Sequence, residues 1–212
     1  MKQKLELTWA GKDEPLKVEP RILLYDREKS HGAQDTGNLL IHGDNLLALK
    51  ALEKKYAGQV KCIYIDPPYN ARATNEYYDD NFEHSMWLSL MKSRIEILRA
   101  LLREDGFIFI QIDNYEMAYL KVLLDEIFGR NCFVNDIVWK RKGGSVNPRN
   151  KLNNNTDYIL WYAKTADADI FPVYTKDDPE TADYIKKRFK YTDEDGRVYR
   201  LSPIISPTYS PT

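Results

Sequence analysis

The residues best suited to chemistry stand together in the order Asp66-Pro67-Pro68-Tyr69. Two consecutive prolines can neither extend a β-ladder nor start a helix smoothly, so they favour a rigid, extended loop. The Asp66 carboxylate and the Pro67 carbonyl could each accept one hydrogen of a planar amine, while Tyr69 could stack on the ring that carries it. Drawing both N–H bonds out of the ring plane would localise the nitrogen lone pair. The pattern therefore suits an amine that attacks a methyl group.

A plainer interpretation of the same residues is that the prolines end a strand and that Asp66 caps the turn. Three neighbouring features favour the chemical interpretation. They are the apolar run 63–65 before the motif, Asn70 directly after it, and Gly43-Asp44 upstream.

Short apolar runs alternate with helical stripes along the chain. The run 60–65 is nearly all apolar, as expected of a strand that is covered on both faces. Alternating strands and helices predict a doubly wound α/β sheet, in which ligands bind beyond the carboxyl ends of the strands. The predicted strands are 39–41, 60–65, 107–112, 133–139 and 157–162. The predicted helices are 45–56, a long helix that Ser85 caps and Asp105-Gly106 ends, and about 115–128.

The composition excludes several classes of protein. Of 212 residues, 43% are hydrophobic and 30% are charged, which excludes fibrous and wholly disordered chains. The net charge of −1 argues against a nucleic-acid packaging protein but permits an enzyme with a local basic face. No apolar run approaches the roughly 20 residues of a membrane helix, so we expect a soluble, cytoplasmic protein without membrane partners. Cys62 and Cys132 are expected to be buried hydrophobes, and no Cys/His spacing predicts a metal site.

The segment 137–156 holds five basic residues and no acid, with glycines and asparagines among them. Such a composition suits hydrogen bonds to phosphates and base edges, although a solvated hairpin loop would look similar. Trp139 could be a second stacking surface for a base or a core tryptophan. The candidate DNA-contacting residues are Trp139, Lys140, Arg141, Lys142, Arg149 and Lys151.

Two blocks, 41–49 and 62–70, resemble the amino-methylating DNA methyltransferases. The likeness is strongest to the permuted beta arrangement found in the modification subunits of type III restriction systems. It continues through 87–94, 105–113, 122–129, 135–140 and 157–164.

The resemblance implies a Rossmann-like methyltransferase fold that uses S-adenosylmethionine as methyl donor. It places Asp66, Pro67, Pro68 and Tyr69 around the N6 atom of an adenine flipped out of duplex DNA. It makes Asp44 and Asp66 contacts of S-adenosylmethionine, although Asp44 could equally cap the helix that follows, or do both. The implied partners are double-stranded DNA, a second copy of the protein and a restriction helicase-nuclease subunit.

Other functions remain open at this stage. The nearest alternative is methylation of cytosine N4, since an aspartate at the first motif position only favours adenine. A second alternative is a catalytically inactive DNA-binding or assembly module. Methylation of RNA or of protein glutamine uses similar motifs, but the flanking blocks argue against it.

The family also has a Phe-x-Gly-x-Gly block, which this sequence lacks. In the family strand order 3-2-1-4-5-7-6, the chain is expected to supply strands 3, 4, 5, 6 and 7, with strands 1 and 2 missing. The predicted organisation is an N-terminal arm (1–37), a catalytic core (38–165) and the start of a target-recognition region (166–212). Within the arm, only Arg21 to Tyr25 looks able to dock onto the core.

The missing glycine block makes a first prediction. The 212-residue chain alone is expected to bind S-adenosylmethionine weakly or not at all. Isothermal calorimetry measures this directly, and a micromolar dissociation constant would contradict it.

Overall fold

The structure is a computed structural model that describes residues 6–14, 18–19, 21–33, 35–70, 74–75, 78–79, 83–141, 155–170 and 179–201. The chain divides into two compact units, residues 1–169 and 170–212. The elements of the first unit are α1 (Asn45–Tyr56), β1 (Val60–Ile65), β2 (Thr74–Asn75), β3 (Tyr78–Asp79), α2 (His84–Leu101), β4 (Leu102–Ile112), α3 (Met117–Phe128), a 3-10 turn (Arg130–Cys132), β5 (Phe133–Lys140) and β6 (Thr156–Ala163). The second unit contains α4 (Pro179–Arg188), β7 (Tyr191–Thr192) and β8 (Val198–Tyr199).

The four longest strands form one sheet in the order β1-β4-β6-β5. Strand β4 is parallel to β1, whereas β6 runs antiparallel to both of its neighbours, β4 and β5. The predicted α/β class is confirmed. The order is also the 4-5-7-6 arrangement that the family resemblance implies for these strands.

One face of the sheet builds the core. Because side chains alternate along a strand, every second residue of β4 points to the same side, and that side is fully buried in the second half of the strand. Helices α2 and α3 supply the other half of the core through apolar residues at helical spacing. The buried sheet residues of this core are Ile63, Leu102, Ile108, Ile110, Ile112, Leu160 and Tyr162.

The opposite face of β1 is exposed, which corrects the prediction that this strand is covered on both faces. Cys62 and Tyr64 point to that side and are exposed, whereas Ile63 between them is buried. The described helices pack on the Ile63 side only. The prediction of a buried cysteine is therefore wrong for Cys62 and confirmed for Cys132.

The strand expected at 39–41 is not formed. Its residues have no regular secondary structure, and Leu40 is 100% exposed. A strand needs a neighbour to accept its hydrogen bonds. Within the described ranges no segment pairs with this one.

Gly106 lets β4 start earlier than predicted. The strand begins at Leu102 rather than Phe107, so Gly106 lies inside it. A β-carbon at Gly106 would stand 2.9 Å from the carbonyl oxygen of Val60 on β1. Only glycine permits so close an approach of the two backbones.

The N-terminal arm docks through Trp9 and Lys12, not through Arg21 to Tyr25 as predicted. The apolar side chains of that later segment are exposed. Instead, the Trp9 indole donates a 2.8 Å hydrogen bond to Ser89 of α2. The Lys12 side chain is buried and lies 2.6 Å from the Glu126 carboxylate on α3.

Burial alone would lower the pKa of Lys12, but its hydrogen bonds to Glu126 and Glu6 and their charges raise it above its ordinary value. A raised folded-state pKa means that the ion pair stabilises the fold at neutral pH and is lost only as strongly alkaline pH passes that pKa.

A second prediction follows from this contact. Lys12→Met should lower the free energy of unfolding by about 1.5–3 kcal/mol, because a nearly buried charge-assisted hydrogen bond is lost. The matched control is Lys54→Met, at an exposed position of α1, which should change it by less than about 0.5 kcal/mol. Urea unfolding at pH 7 measures both, and equal losses would show that the Lys12 contact contributes nothing.

Candidate active site

The predicted site residues meet at one edge of the sheet. Strands β1, β4 and β5 run in the same direction, so their carboxyl ends lie on the same edge, where β6 begins. The loop that follows β1 carries Asp66 to Tyr69, while Gln111 and Trp139 are the last residues but one of β4 and β5. The edge is the place at which ligands bind in sheets of this kind.

The loop after β1 presents two hydrogen-bond acceptors. Asp66 is exposed, and Pro67 and Pro68 are half-buried. The carbonyl oxygen of Pro68 accepts a 2.8 Å hydrogen bond from the indole nitrogen of Trp87, a completely buried residue of α2. Among the described residues, no hydrogen bond reaches the Pro67 carbonyl and no ion pair engages the Asp66 carboxylate. These are the two acceptors that the sequence motif assigns to an amine.

Tyr69 is fixed beside these two acceptors. Its hydroxyl oxygen accepts a 2.8 Å hydrogen bond from Nε2 of Gln111. Burial and then the negative charge of Asp66 raise the pKa of Tyr69 well above its ordinary value. Tyr69 is therefore a neutral phenol at physiological pH, with a hydrogen to donate.

Asn70 anchors the far end of the loop in a backbone conformation that few side chains adopt. Its φ is +56°, in the left-handed region, and its side chain is buried. Its amide nitrogen donates a 2.8 Å hydrogen bond to the Glu116 carboxylate. Nδ1 of His84 lies 3.0 Å from the same carboxylate. Glu116 is buried at the start of α3, so the loop is tied to the first residues of two helices.

Sequence reasoning missed a second buried carboxylate, Asp157. One of its oxygens lies 3.0 Å from Nε of Arg141, and the other accepts from Gln111 at 3.3 Å. Its only signal in the sequence was its place at the start of a predicted strand. Arg141, predicted to contact DNA, is thus held beside the active-site loop by an ion pair.

The structure describes half of the predicted DNA-contacting residues. Trp139 is 58% exposed, so the interpretation of Trp139 as a core residue is wrong. Lys140 is exposed and Arg141 half-exposed. The remaining three, Lys142, Arg149 and Lys151, lie outside the described residues.

Asp44 is the N-cap of α1. One of its carboxylate oxygens accepts from the backbone N–H groups of Leu46 and Leu47, at 2.9 and 3.1 Å. Within the described ranges it is not hydrogen-bonded to the other predicted site residues. Its neighbour is Arg94 of α2, whose pKa is lowered by burial and raised in part by the charge of Asp44. The capping interpretation is confirmed, and a second carboxylate oxygen is left for a ligand.

Two further absences hold for the residues described. No cluster of three or more His, Cys, Asp or Glu side chains is arranged to hold a metal ion. No described helix is long and apolar enough to cross a membrane.

The sequence comparisons decide the family. A family model described as DNA methylase, for the N6/N4 enzymes, matches residues 60–208. The chain belongs to this DNA methylase family.

Proteins that are similar to this chain in sequence include modification subunits. It is 44% identical over 165 residues to the probable type III restriction-modification enzyme HindVI Mod subunit of Haemophilus influenzae, covering 73% of this chain and 22% of that protein. It is 36% identical over 189 residues to the StyLTI Mod subunit of Salmonella typhimurium, covering 76% and 28%. It is 33% identical over 216 residues to the type II methyltransferase M.EcaI of Enterobacter cloacae, covering 96% and 46%. The chain spans about a fifth to a half of the length of these relatives.

Solved structures of methyltransferases are similar at lower identity. The PvuII DNA methyltransferase (cytosine-N4-specific) matches with a TM-score of 0.43 and 17% identity, over 56% of this chain and 47% of that one. The M1.HpyAVI–SAM complex matches with a TM-score of 0.44 and 22% identity, over 65% and 60%. The family model, rather than these structures, carries the family assignment.

The Asn70 anchor makes a third prediction. Asn70→Gly keeps the left-handed backbone and should cost about 1–3 kcal/mol of unfolding free energy, because the buried Glu116 loses its partner. Asn70→Ala should cost roughly 1 kcal/mol more, since a β-carbon disfavours this φ. Denaturant unfolding of both variants separates the two effects. Equal stability of the alanine and glycine variants would contradict the strained conformation.

Proposed function

We propose that this chain is the catalytic part of a site-specific DNA methyltransferase that methylates adenine N6 after flipping the base out of the duplex. Base flipping is required because the amine lies inside the stacked helix. The family membership supports amino-methylation of DNA. The adenine assignment rests on the aspartate at the first position of the motif.

The observation that carries the proposal is the pair of open acceptors after β1. A target amine has two hydrogens, and the exposed Asp66 carboxylate and the Pro67 carbonyl can take one each. The Pro68 carbonyl already accepts a hydrogen bond from Trp87, so the unengaged carbonyl of the two prolines is that of Pro67. Hydrogen bonds to both acceptors localise the lone pair on the amine nitrogen and so make it a stronger nucleophile. Hydrogen-bonding groups placed where charge develops in the transition state are the main source of such catalysis.

Tyr69 would hold the flipped ring by stacking, a contact worth about 1–3 kcal/mol per base. Its ring cannot swing away freely, because Gln111 holds the hydroxyl. Trp139 and Lys140 are exposed at the end of β5, which supports their proposed contact with DNA. The same proposal includes four further basic residues as DNA contacts: Arg141, Lys142, Arg149 and Lys151.

S-adenosylmethionine would supply the methyl group when bound, as expected for a member of this DNA methylase family. The side chains present fit this molecule. After capping α1, the Asp44 carboxylate keeps one oxygen available to accept hydrogen bonds from hydroxyl groups, and the Asp66 carboxylate is exposed. Asp44 and Asp66 are therefore the proposed contacts.

The protein partners belong to the proposal as well. The Haemophilus and Salmonella relatives are named as Mod subunits of type III restriction-modification enzymes. We accordingly expect a restriction helicase-nuclease subunit and a second copy of the protein as partners. The expected location is the cytoplasm, where the DNA is.

The fourth prediction tests the reaction. The complete protein encoded by the gene, expressed in a methylation-free bacterial host, should produce N6-methyladenine in host DNA, as measured by nucleoside mass spectrometry. Asp66→Ala should reduce it by about 10²–10³-fold, because one acceptor of the amine is lost. The matched control, Asp105→Ala, removes an exposed carboxylate at the opposite end of β4 and should have no effect.

Other outcomes discriminate between the alternatives. N4-methylcytosine that depends on Asp66 would keep the mechanism and change the base. Folded protein with no modified base would favour an assembly module.

A further inference from the structure

The end of α4 and the residues that follow it carry positive charge without negative charge. The segment 184–191 contains no aspartate or glutamate. Its basic residues are Lys186, Lys187, Arg188 and Lys190. All four are exposed, and within the described ranges only Lys187 forms an ion pair, with Asp183 at 3.7 Å. Three positive charges in this segment therefore have no acidic partner in the part of the chain that the structure describes.

The hairpin of β7 and β8 separates its charges between its two ends. Its acidic residues lie in the turn, where two of them pair with Arg197 at 3.2 and 3.0 Å. At the opposite end, the last paired residues of the strands are Tyr191 and Tyr199. Lys190 and Arg200 flank this pair, and both are exposed. No acid forms an ion pair with Arg200 within the described residues, so the open end of the hairpin is basic.

A ring contact joins the hairpin to the end of α4. The Arg200 guanidinium lies 5.9 Å from the centre of the Phe189 ring, and Phe189 directly follows α4. The two short segments that meet at this contact carry the four unpaired basic residues Lys186, Arg188, Lys190 and Arg200, which we call the basic cluster. Beside them, the rings of Tyr191 and Tyr199 are stacked with their centres 5.6 Å apart, and both tyrosines are exposed.

The local structure accounts for only part of this charge. Cations in the last turn of a helix are favoured by the helix dipole, and the Arg188 guanidinium also lies 5.2 Å from the Tyr184 ring. Neither interaction neutralises a positive charge, and Lys190 and Arg200 lie outside α4. Uncompensated lysines and arginines beside exposed tyrosines are the side chains that donate hydrogen bonds to phosphate oxygens. The basic cluster is therefore complementary to a phosphate polyanion.

We propose that the basic cluster binds the phosphate backbone of DNA, independently of the base sequence. The inference rests on the proposed function, because it takes DNA as the substrate. The DNA methylase family model extends through this part of the chain, to residue 208, which favours DNA over other polyanions. The cluster is separate in sequence from the candidate DNA contacts of the segment 137–156. Phosphate contacts hold the duplex without reading its sequence.

The test is the salt dependence of duplex binding by the complete protein, measured by fluorescence anisotropy with a labelled oligonucleotide. The variants are Lys190→Gln, Arg200→Gln and the double variant. Arg197→Gln is the control, since it removes an exposed arginine of the same hairpin whose charge two aspartates already offset. Lys186→Gln replaces Arg200→Gln where the latter fails to melt cooperatively, because no ring contact of Lys186 occurs in the described ranges.

Each loss of a phosphate contact should reduce the slope of log affinity against log salt concentration by about 0.9, and the double variant should reduce it by about 1.8. Binding should weaken by the same factor on duplexes of different sequence, because the lost contacts are to the backbone. Arg197→Gln should keep the wild-type slope.

An unchanged slope in the double variant would overturn the inference, as would a loss of affinity confined to one base sequence. A double variant that keeps its DNA slope but no longer binds vesicles containing phosphatidylserine would also overturn it, and would assign the cluster to a membrane surface. Mass spectrometry of host DNA separates these failures from that of the proposed function. A wild-type protein that shows the expected slopes but methylates no base would contradict the proposed function alone.

Discussion

One hydrogen bond, from the Trp87 indole to the Pro68 carbonyl, determines where the candidate catalytic loop lies. Trp87 is completely buried in α2, and a buried indole N–H that lost its acceptor would carry an uncompensated desolvation penalty. The loop therefore cannot shift without a cost in the core. Because this bond engages the second proline carbonyl, the first remains beside Asp66 as an acceptor for a substrate. The core of α2 and the chemistry at the sheet edge thus depend on the same contact.

The carboxylates at this edge divide into two kinds. Asp157 and Glu116 are buried, and each is held by partners from other elements: Asp157 by Arg141 and Gln111, Glu116 by Asn70 and His84. Buried charges require such partners, and the partners fix the geometry around them. Asp66 is exposed, and no ion pair to it occurs in the described ranges. The buried carboxylates consequently build the frame, while Asp66 is the one available to a substrate.

The local features of the fold were predictable, and the long-range ones were not. Periodicity predicted the four strands of the sheet, and the resemblance predicted their order. The capping role of Asp44 was one of two alternatives that the sequence left open. The hydrogen bonds from Gln111 to Tyr69 and from Asn70 to Glu116 join residues 42 and 46 positions apart, and no local pattern encodes them. The prediction of a strand at 39–41 was wrong because an apolar run forms a strand only beside a neighbouring strand. The prediction of a buried Cys62 was wrong because its exposure depends on which face of the sheet the helices cover.

The most direct test of this account is the methyl-transfer rate of Trp87→Phe in the complete protein. Phenylalanine fills most of the indole space but cannot donate to Pro68, so the loop should lose its anchor while the core stays folded. The account predicts a kcat reduced by roughly 10–100-fold at a temperature where circular dichroism shows native helix content. Trp9→Phe, which removes an indole donor to Ser89 rather than to the loop, is the control and should retain wild-type kcat. A Trp87→Phe protein with wild-type kcat would contradict the claim that this hydrogen bond positions the catalytic loop.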